Sequence, residues 1–319
     1  MSVLSQLTPG KITMDMRANE RTVWMNGAFI PEREALVPFR DRSFLFGDGA
    51  FDLTRTFHGR IFKLDEHVDR LYRSLKALHL DATMPQAEMA DITMQVLERN
   101  RHLLAENEDY WVGQRISRGV QKVDGDNWDH YGPTVVVECS PMPIAERAHM
   151  YRDGIQVVTP SVRRIPPECL TPRAKTHNYL NLIMGDMEVK AQNPDGWAIL
   201  LDMSGNLNEG LGSNIFLVKD GKIRTPREKF VLPGVSRETA IELAGQLGIS
   251  CTEDDLDLYD AYNADEAFIT STSLCICPVR SINGVAMPAG AFGTVTQRLI
   301  DAYIDLVDCD FVQQYLDRL

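Results

Sequence analysis

Leu201-Asp202-Met203-Ser204-Gly205-Asn206-Leu207-Asn208-Glu209-Gly210-Leu211-Gly212-Ser213-Asn214 runs through a glycine-rich bend into an apolar strand, and Leu232-Pro233-Gly234-Val235-Ser236 then leads directly into a helical pattern. In the first stretch one carboxylate, Glu209, stands where the backbone must turn tightly. In the second, first-turn N–H groups and the Ser236 hydroxyl converge at the positive end of a helix, which makes a cup for an anion. Alone, a Pro-Gly turn before a serine N-cap describes many helices that bind nothing. Its company changes the reading.

Upstream, Lys175 follows Pro172-Arg173-Ala174 and precedes Thr176-His177-Asn178-Tyr179. A lysine, a carboxylate and an anion cup are the parts that pyridoxal 5'-phosphate needs: an amine for C4′, an acid for the ring nitrogen and donors for the phosphate. Other phosphate and hydrolase chemistries lack their motifs. There is no G-x-x-x-x-G-K-[ST] loop, no G-x-G-x-x-G after a strand, no H-E-x-x-H and no G-x-S-x-G.

The bulk properties set the frame. At 319 residues the chain is longer than one core usually organises, so two domains are expected. A hydrophobic content of 44% with 24% charged residues is ordinary for a folded enzyme. The formal net charge of −12, without a dense Lys/Arg run, argues against nucleic acid as partner. The opening MSVLSQLTPGKITMDMRANERT lacks an uninterrupted apolar core, and no stretch is long enough to span a bilayer, so a cytoplasmic location is expected. Six scattered cysteines show no disulfide framework. Cys275 and Cys277 alternate onto one side of an apolar strand and read as core residues, so no metal is expected.

Four hairpin signals punctuate the chain: Asn26-Gly27, His58-Gly59, Asp220-Gly221 and Asn283-Gly284. Strand-like runs occur at Thr134–Cys139, Ile155–Thr159, Trp197–Asp202, Asn214–Val218 and Glu266–Ser271. Helical periodicity appears over Asp65–Leu80, Met84–Leu104 and Thr239–Leu247. Hairpins with helices in separate blocks favour an α+β fold over an alternating parallel sheet. The stretch Ser140–Arg147 reads as a linker, placing the domains at 1–145 and 146–319.

Asp41-Arg42-Ser43-Phe44-Leu45-Phe46-Gly47-Asp48-Gly49-Ala50-Phe51-Asp52 and Leu64-Asp65-Glu66-His67-Val68-Asp69-Arg70-Leu71 resemble the N-terminal signature of fold-type IV pyridoxal-phosphate enzymes. Glu209-Gly210-Leu211-Gly212-Ser213-Asn214, Leu232–Arg237 and Ala264–Thr270 are similar to that family's later blocks, in the same order, over roughly residues 24 to 285. The resemblance implies a two-domain homodimer with the cofactor between the domains. It implies that Lys175 carries the cofactor covalently and is the catalytic base, and that Glu209 pairs with the ring nitrogen. Arg70, Val235, Ser236 and Thr272 are implied to bind the phosphate, and Tyr179 the ring O3′, although some branched-chain enzymes space that tyrosine one residue further.

The implied substrate wall is Phe51, Arg55, Trp111, Gly113, Arg115 and Ser273. The loop Ser117–Asp124 lacks the Arg-x-His pair typical of D-amino-acid transaminases, and Phe51 stands where those enzymes tend to have tyrosine. Branched-chain enzymes usually carry Tyr-x-Arg where this chain has Trp111-Val112-Gly113, so that arginine is missing and space opens. Arg115 shares a strand face with Trp111 and Gly113 by alternation, and either reaches into the space or points to a subunit contact. The segment Val162–Pro172 resembles (R)-selective amine transaminases. The expected activity is ping-pong transamination from a hydrophobic, branched-chain-type amino acid or an (R)-amine to a 2-oxo acid. A D-amino-acid transaminase, an aminodeoxychorismate-lyase-like enzyme and a non-catalytic phosphate-ligand binder are the alternatives.

Overall fold

In a computed structural model of the chain, residues 20–105 and 107–319 are described; most of the N-terminal stretch read above for export signals lies outside them. Two compact units, Met1–Pro141 and Met142–Leu319, divide the chain.

In the first unit, β1 (Thr22–Met25) and β2 (Ala28–Pro31) precede helix α1 (Arg42–Phe46), then β3 (Gly49–Phe57) and β4 (Arg60–Ile61). Helices α2 (Leu64–Ala77) and α3 (Gln86–Asn100) follow, then β5 (Tyr110–Ser117) and β6 (Val135–Pro141). The strands form an antiparallel sheet in the order β2-β1-β6-β5-β3-β4. Val68, Leu71 and Leu75 of α2, spaced at helical intervals, and Met89, Ile92, Val96 and Leu97 of α3 cover one sheet face. Against them pack Trp24, Tyr110, Val112, Ile116, Val135 and Val137. Because side chains alternate along a strand, Phe51, Leu53, Trp111, Gly113 and Arg115 fall on the other face.

The Asp41–Gly49 block is first of all a device for ending and starting structure. Asp41 caps α1, accepting from the Ser43 N–H at 2.8 Å, and Gly47 ends it in the left-handed region at φ 70°. The other Asp41 oxygen accepts from the Ser117 and Thr134 hydroxyls, each at 2.7 Å, which ties the turn to β5 and to the start of β6.

The second unit begins with α4 (Ile144–Asp153), β7 (Ile155–Val158), α5 (Leu180–Gln192), β8 (Gly196–Ala198) and β9 (Glu209–Gly210). It continues through β10 (Ser213–Lys219), β11 (Lys222–Pro226), α6 (Val235–Gln246), β12 (Cys251–Asp254) and α7 (Leu258–Tyr262). It ends with β13 (Glu266–Ser271), β14 (Cys275–Ile282), β15 (Val285–Ala286), α8 (Thr294–Val307) and α9 (Phe311–Leu316). The sheet order is β12-β11-β10-β13-β14-β7-β8, with an antiparallel centre and parallel pairs toward both edges. Phe216 and Phe268 face each other in the register of β10 and β13, their rings stacked at 4.7 Å.

Hairpin-joined strands with helices in separate blocks make the fold α+β, as expected. Three of the periodic segments and the strand runs at 134, 155, 214 and 266 lie on helices and strands within a few residues of their expected ends. The run Trp197–Asp202 is only briefly a strand, since Ile199 onward turns into the Glu209 bend. The stretch read as a linker is mostly regular structure: Ser140 and Pro141 end β6, and Ile144 opens α4. Its charged residues Glu146 and Arg147 lie on that helix, whose Ile144, Ala148 and Tyr151 are buried at helical spacing.

Candidate active site

Two groups of the second unit converge on the Glu209 carboxylate. Its Oε1 accepts from Arg164 Nε at 2.9 Å and its Oε2 from the Leu232 N–H at 2.8 Å. Leu232 lies three residues before α6, so one hydrogen bond fixes the carboxylate against the approach to the helix end. Burial pushes the Glu209 carboxyl above the ordinary glutamate range, against the opposing pull of Arg164, the Leu232 N–H and Lys175. A cationic ring N–H beside it would relieve that cost, and each carboxylate oxygen keeps a further lone pair to accept one.

Lys175 is only 8% exposed and its Nζ donates to the Tyr179 hydroxyl at 2.9 Å. The four-residue spacing works because 176–178 bend before α5, with Tyr179 as its N-cap residue. The amine and the phenol are thereby brought together in the structure.

Gly234 precedes α6 without any side-chain cap, so the first-turn N–H groups of Val235 and Ser236 have no intrahelical partner. A Cβ on Gly234 would overlap Asn214 Oδ1, while Asn214 Nδ2 donates to the Leu232 carbonyl at 3.1 Å. Only glycine therefore permits this approach of strand and turn. Thr270, the cross-strand neighbour of Asn214, keeps a buried hydroxyl with no hydrogen-bond partner among the described residues. Ser236 Oγ donates to the Ser271 carbonyl at 3.1 Å, which joins the helix end to the turn that carries Thr272 and Ser273. A lysine, a buried acid and an uncapped helix end held together in this way fit pyridoxal phosphate.

That turn is secured from behind. Arg147 donates to the Ser273 hydroxyl, Tyr151 to the Leu274 carbonyl, and Tyr315 to the Ser273 carbonyl at 3.0 Å. Neither these three residues nor the Arg164 contact was legible as a functional feature. Arg164 lies 45 positions from Glu209, and Tyr315 lies 42 from Ser273, with no periodicity linking them.

In the first unit, Arg70 pairs with Asp52. Its Nε and Nη2 meet the two Asp52 oxygens at 2.8 Å each, and His67 Nδ1 lies 2.7 Å from Asp52 Oδ1. Burial works against the Asp52 charge, but the Arg70 and His67 charges outweigh it and hold the carboxyl well below the usual aspartate range. The spacing His67-x-x-Arg70 on one helix face was a readable signal for this cluster; Asp52 on β3 was not.

Register pairs Phe51 with Arg115, Leu53 with Gly113 and Arg55 with Trp111. Arg55 is 1% exposed, its Nη2 3.4 Å from Asp109 Oδ2 and its Nε donating to the Thr56 carbonyl. Its guanidinium is thus committed inside the unit. Arg115 differs, with 47% of its side chain exposed and its guanidinium 5.2 Å from the Phe51 ring centre.

Cys275 and Cys277 are both fully buried on β14. No helix among the described residues is long and apolar enough to cross a membrane.

The family model for class IV amino-transferases matches residues 49–282. A provisionally named branched-chain-amino-acid aminotransferase of Methanocaldococcus jannaschii is 36% identical over 285 residues, 89% of this chain and 96% of that one. The D-alanine aminotransferase of Bacillus licheniformis is 29% identical over 87% of this chain and 94% of its own. Among solved structures, a T.th. branched-chain amino acid aminotransferase complexed with N-(5'-phosphopyridoxyl)-L-glutamate superposes with a TM-score of 0.81 at 28% identity, covering 90% of this chain and 94% of that one. With the family model spanning most of its length, the chain belongs to the class IV aminotransferases.

Proposed function

We propose that the chain is a pyridoxal 5'-phosphate-dependent transaminase that moves an amino group from a hydrophobic, branched-chain-type amino acid or an (R)-amine to a 2-oxo acid in two half-reactions. The observation that carries this reading is the Glu209–Leu232 hydrogen bond, because it fixes an acid for a ring nitrogen relative to an anion cup. When bound, the cofactor supplies an aldehyde carbon that condenses with amines and a ring that accepts electrons. Lys175 would hold the cofactor at that carbon and move the proton at the donor Cα, with the Tyr179 hydroxyl 2.9 Å away to orient its amine. Glu209 would hold a proton on the ring nitrogen, and Arg164 orients Glu209. Val235, Ser236 and Thr272 would hold the phosphate; Arg70, the arginine the family resemblance assigns to it, has its guanidinium fixed by Asp52.

For the substrate, Phe51 and Trp111 offer apolar contact, while the room left at Gly113 is lined closely by Leu53 and Glu138. With Arg55 committed to Asp109, Arg115 is the arginine of this face left open to a polar group of the donor. Several exposed apolar residues of the first unit, among them Phe39, Phe44, Phe46, Trp128 and Tyr131, support a second copy of the chain as partner. The test is a donor panel of L-leucine, D-alanine and (R)-1-phenylethylamine, each with pyruvate and 2-oxoglutarate, on protein whose visible absorbance is bleached by borohydride. L-leucine or the amine is expected to lead. D-alanine as the best donor overturns the substrate reading, and absence of the absorbance overturns the cofactor.

A further inference from the structure

The sheet face that carries Phe51, Trp111, Gly113 and Arg115 also carries a carboxylate. Glu138 of β6 stands opposite Gly113 in the register, and side chains at paired positions project to the same face. A Cβ on residue 113 would come 3.1 Å from Glu138 Oε1 and 3.0 Å from Leu53 Cδ1, so glycine leaves the room into which the carboxylate leans. The partner shown for Glu138 among the described residues is Arg115, whose Nη2 is 3.7 Å from Oε1, beyond hydrogen-bond range. The Glu138 side chain is 22% exposed and the Arg115 side chain 47%. An acceptor and a donor thus face the same side of the sheet, close together yet not hydrogen-bonded to each other.

We infer that Glu138 and Arg115 determine specificity for an amino donor whose apolar stem ends in a carboxamide, its N–H₂ donating to Glu138 and its C=O accepting from Arg115. This rests on the transaminase reading above and names a substrate class for the same face. A carboxamide presents a donor and an acceptor side by side, which matches two opposite charges that are not bonded to one another. A second carboxylate on the donor would be repelled by Glu138, and a hydrocarbon tip is accommodated but gains neither hydrogen bond. Burial raises the Glu138 carboxyl above the ordinary glutamate range, with Arg115 and Arg21 opposing and Glu32 adding to the rise, so an incoming N–H donor meets an incompletely compensated acceptor.

The test compares L-glutamine with its hydrocarbon isostere L-homoleucine, and L-asparagine with L-leucine, by single-turnover absorbance of the holoenzyme. In Glu138→Ala the glutamine-to-homoleucine ratio of kcat/KM is expected to fall roughly ten- to a hundredfold, the loss of one hydrogen bond to a charged group. Glu138→Gln, which keeps an acceptor, falls less, and Arg115→Met repeats the drop. In the Glu138 variants homoleucine constants and melting temperature are expected to hold within about twofold and a few degrees, which separates recognition from a structural role. An unchanged ratio in both Glu138→Ala and Arg115→Met overturns the inference, as does an equal loss for both members of each pair. If the wild type converts homoleucine and leucine but neither amide, the inference falls while the transaminase reading stands. If it converts none of the four, the inference falls, and the transaminase reading falls with it only when the (R)-amine is not converted either.

Discussion

The two units hold their charged groups in opposite ways. Around Glu209, Lys175 and the start of α6, every key polar group is buried and tied within its own unit: Arg164 and Leu232 on Glu209, Tyr179 on Lys175, Ser271 on Ser236. On the open face of the first unit's sheet, Arg115 and Glu138 are partly exposed and separated by 3.7 Å, and Gly113 leaves room for the Glu138 carboxylate. Rigid local bonds fix where chemistry can occur, because a buried charge out of place is costly. A loosely filled face tolerates exchange of residues at little cost in stability, which suits the recognition role proposed for it. The Asp52–Arg70–His67 cluster shows that the first unit is rigid as well where charge is buried.

The sharpest test of that contrast is Lys175→Ala. Turnover is expected to fall roughly a thousandfold or more, since a covalent anchor and a proton carrier are lost together. Reduction of the wild type with borohydride should then label a peptide containing Lys175. A label on a different lysine would move the site elsewhere.

Asp52→Asn is expected to cost about 3–5 kcal/mol of stability at pH 7, because it leaves Arg70 buried with a neutral partner. Its pH dependence follows from a lowered folded-state pKa. The stabilisation from ionised Asp52 is fully present above the unfolded aspartate value, about 3.9, and is lost only as pH falls through the folded value below it. Urea denaturation should therefore show a constant gap between variant and wild type from pH 5 upward, narrowing below pH 4. A gap that widens in acid would contradict the pairing.

A smaller effect is expected from Glu209→Gln, which keeps the shape but weakens the hold on a ring proton. Single-turnover rates should drop roughly a hundredfold with a lesser change in cofactor affinity. Unchanged rates would remove Glu209 from this role.

Least of all, Tyr315→Phe removes the bond to the Ser273 carbonyl and should cost about 1 kcal/mol, visible as a small shift in chemical denaturation, with a modest rise in donor KM. Loss of turnover comparable to Lys175→Ala would mean that α9 does more than brace the turn.

Local chemistry decided much of this protein before any tertiary contact. Asn26-Gly27, His58-Gly59, Asp220-Gly221 and Asn283-Gly284 each take positive φ at both positions and each close a hairpin, since Asn, Asp, His and Gly tolerate the left-handed region that such turns require. The stripe Val68-Leu71-Leu75 could only be a helix face packed on a core, and Gly234-Val235-Ser236 could only open a helix with spare donors. Lys175, Glu209 and Ser236 could be nominated from such signals, together with the family resemblance. Which partners those groups would meet was not written locally. Arg164 on Glu209, Asp52 on Arg70, Asp109 on Arg55 and Glu138 over Gly113 join residues 18 to 54 positions apart, on elements that meet only when the sheets assemble. Turn preference and amphipathic period act over a few residues and so can be read along the chain. The pairing of buried charges depends on strand register and on which element covers which face, and only the folded chain determines those.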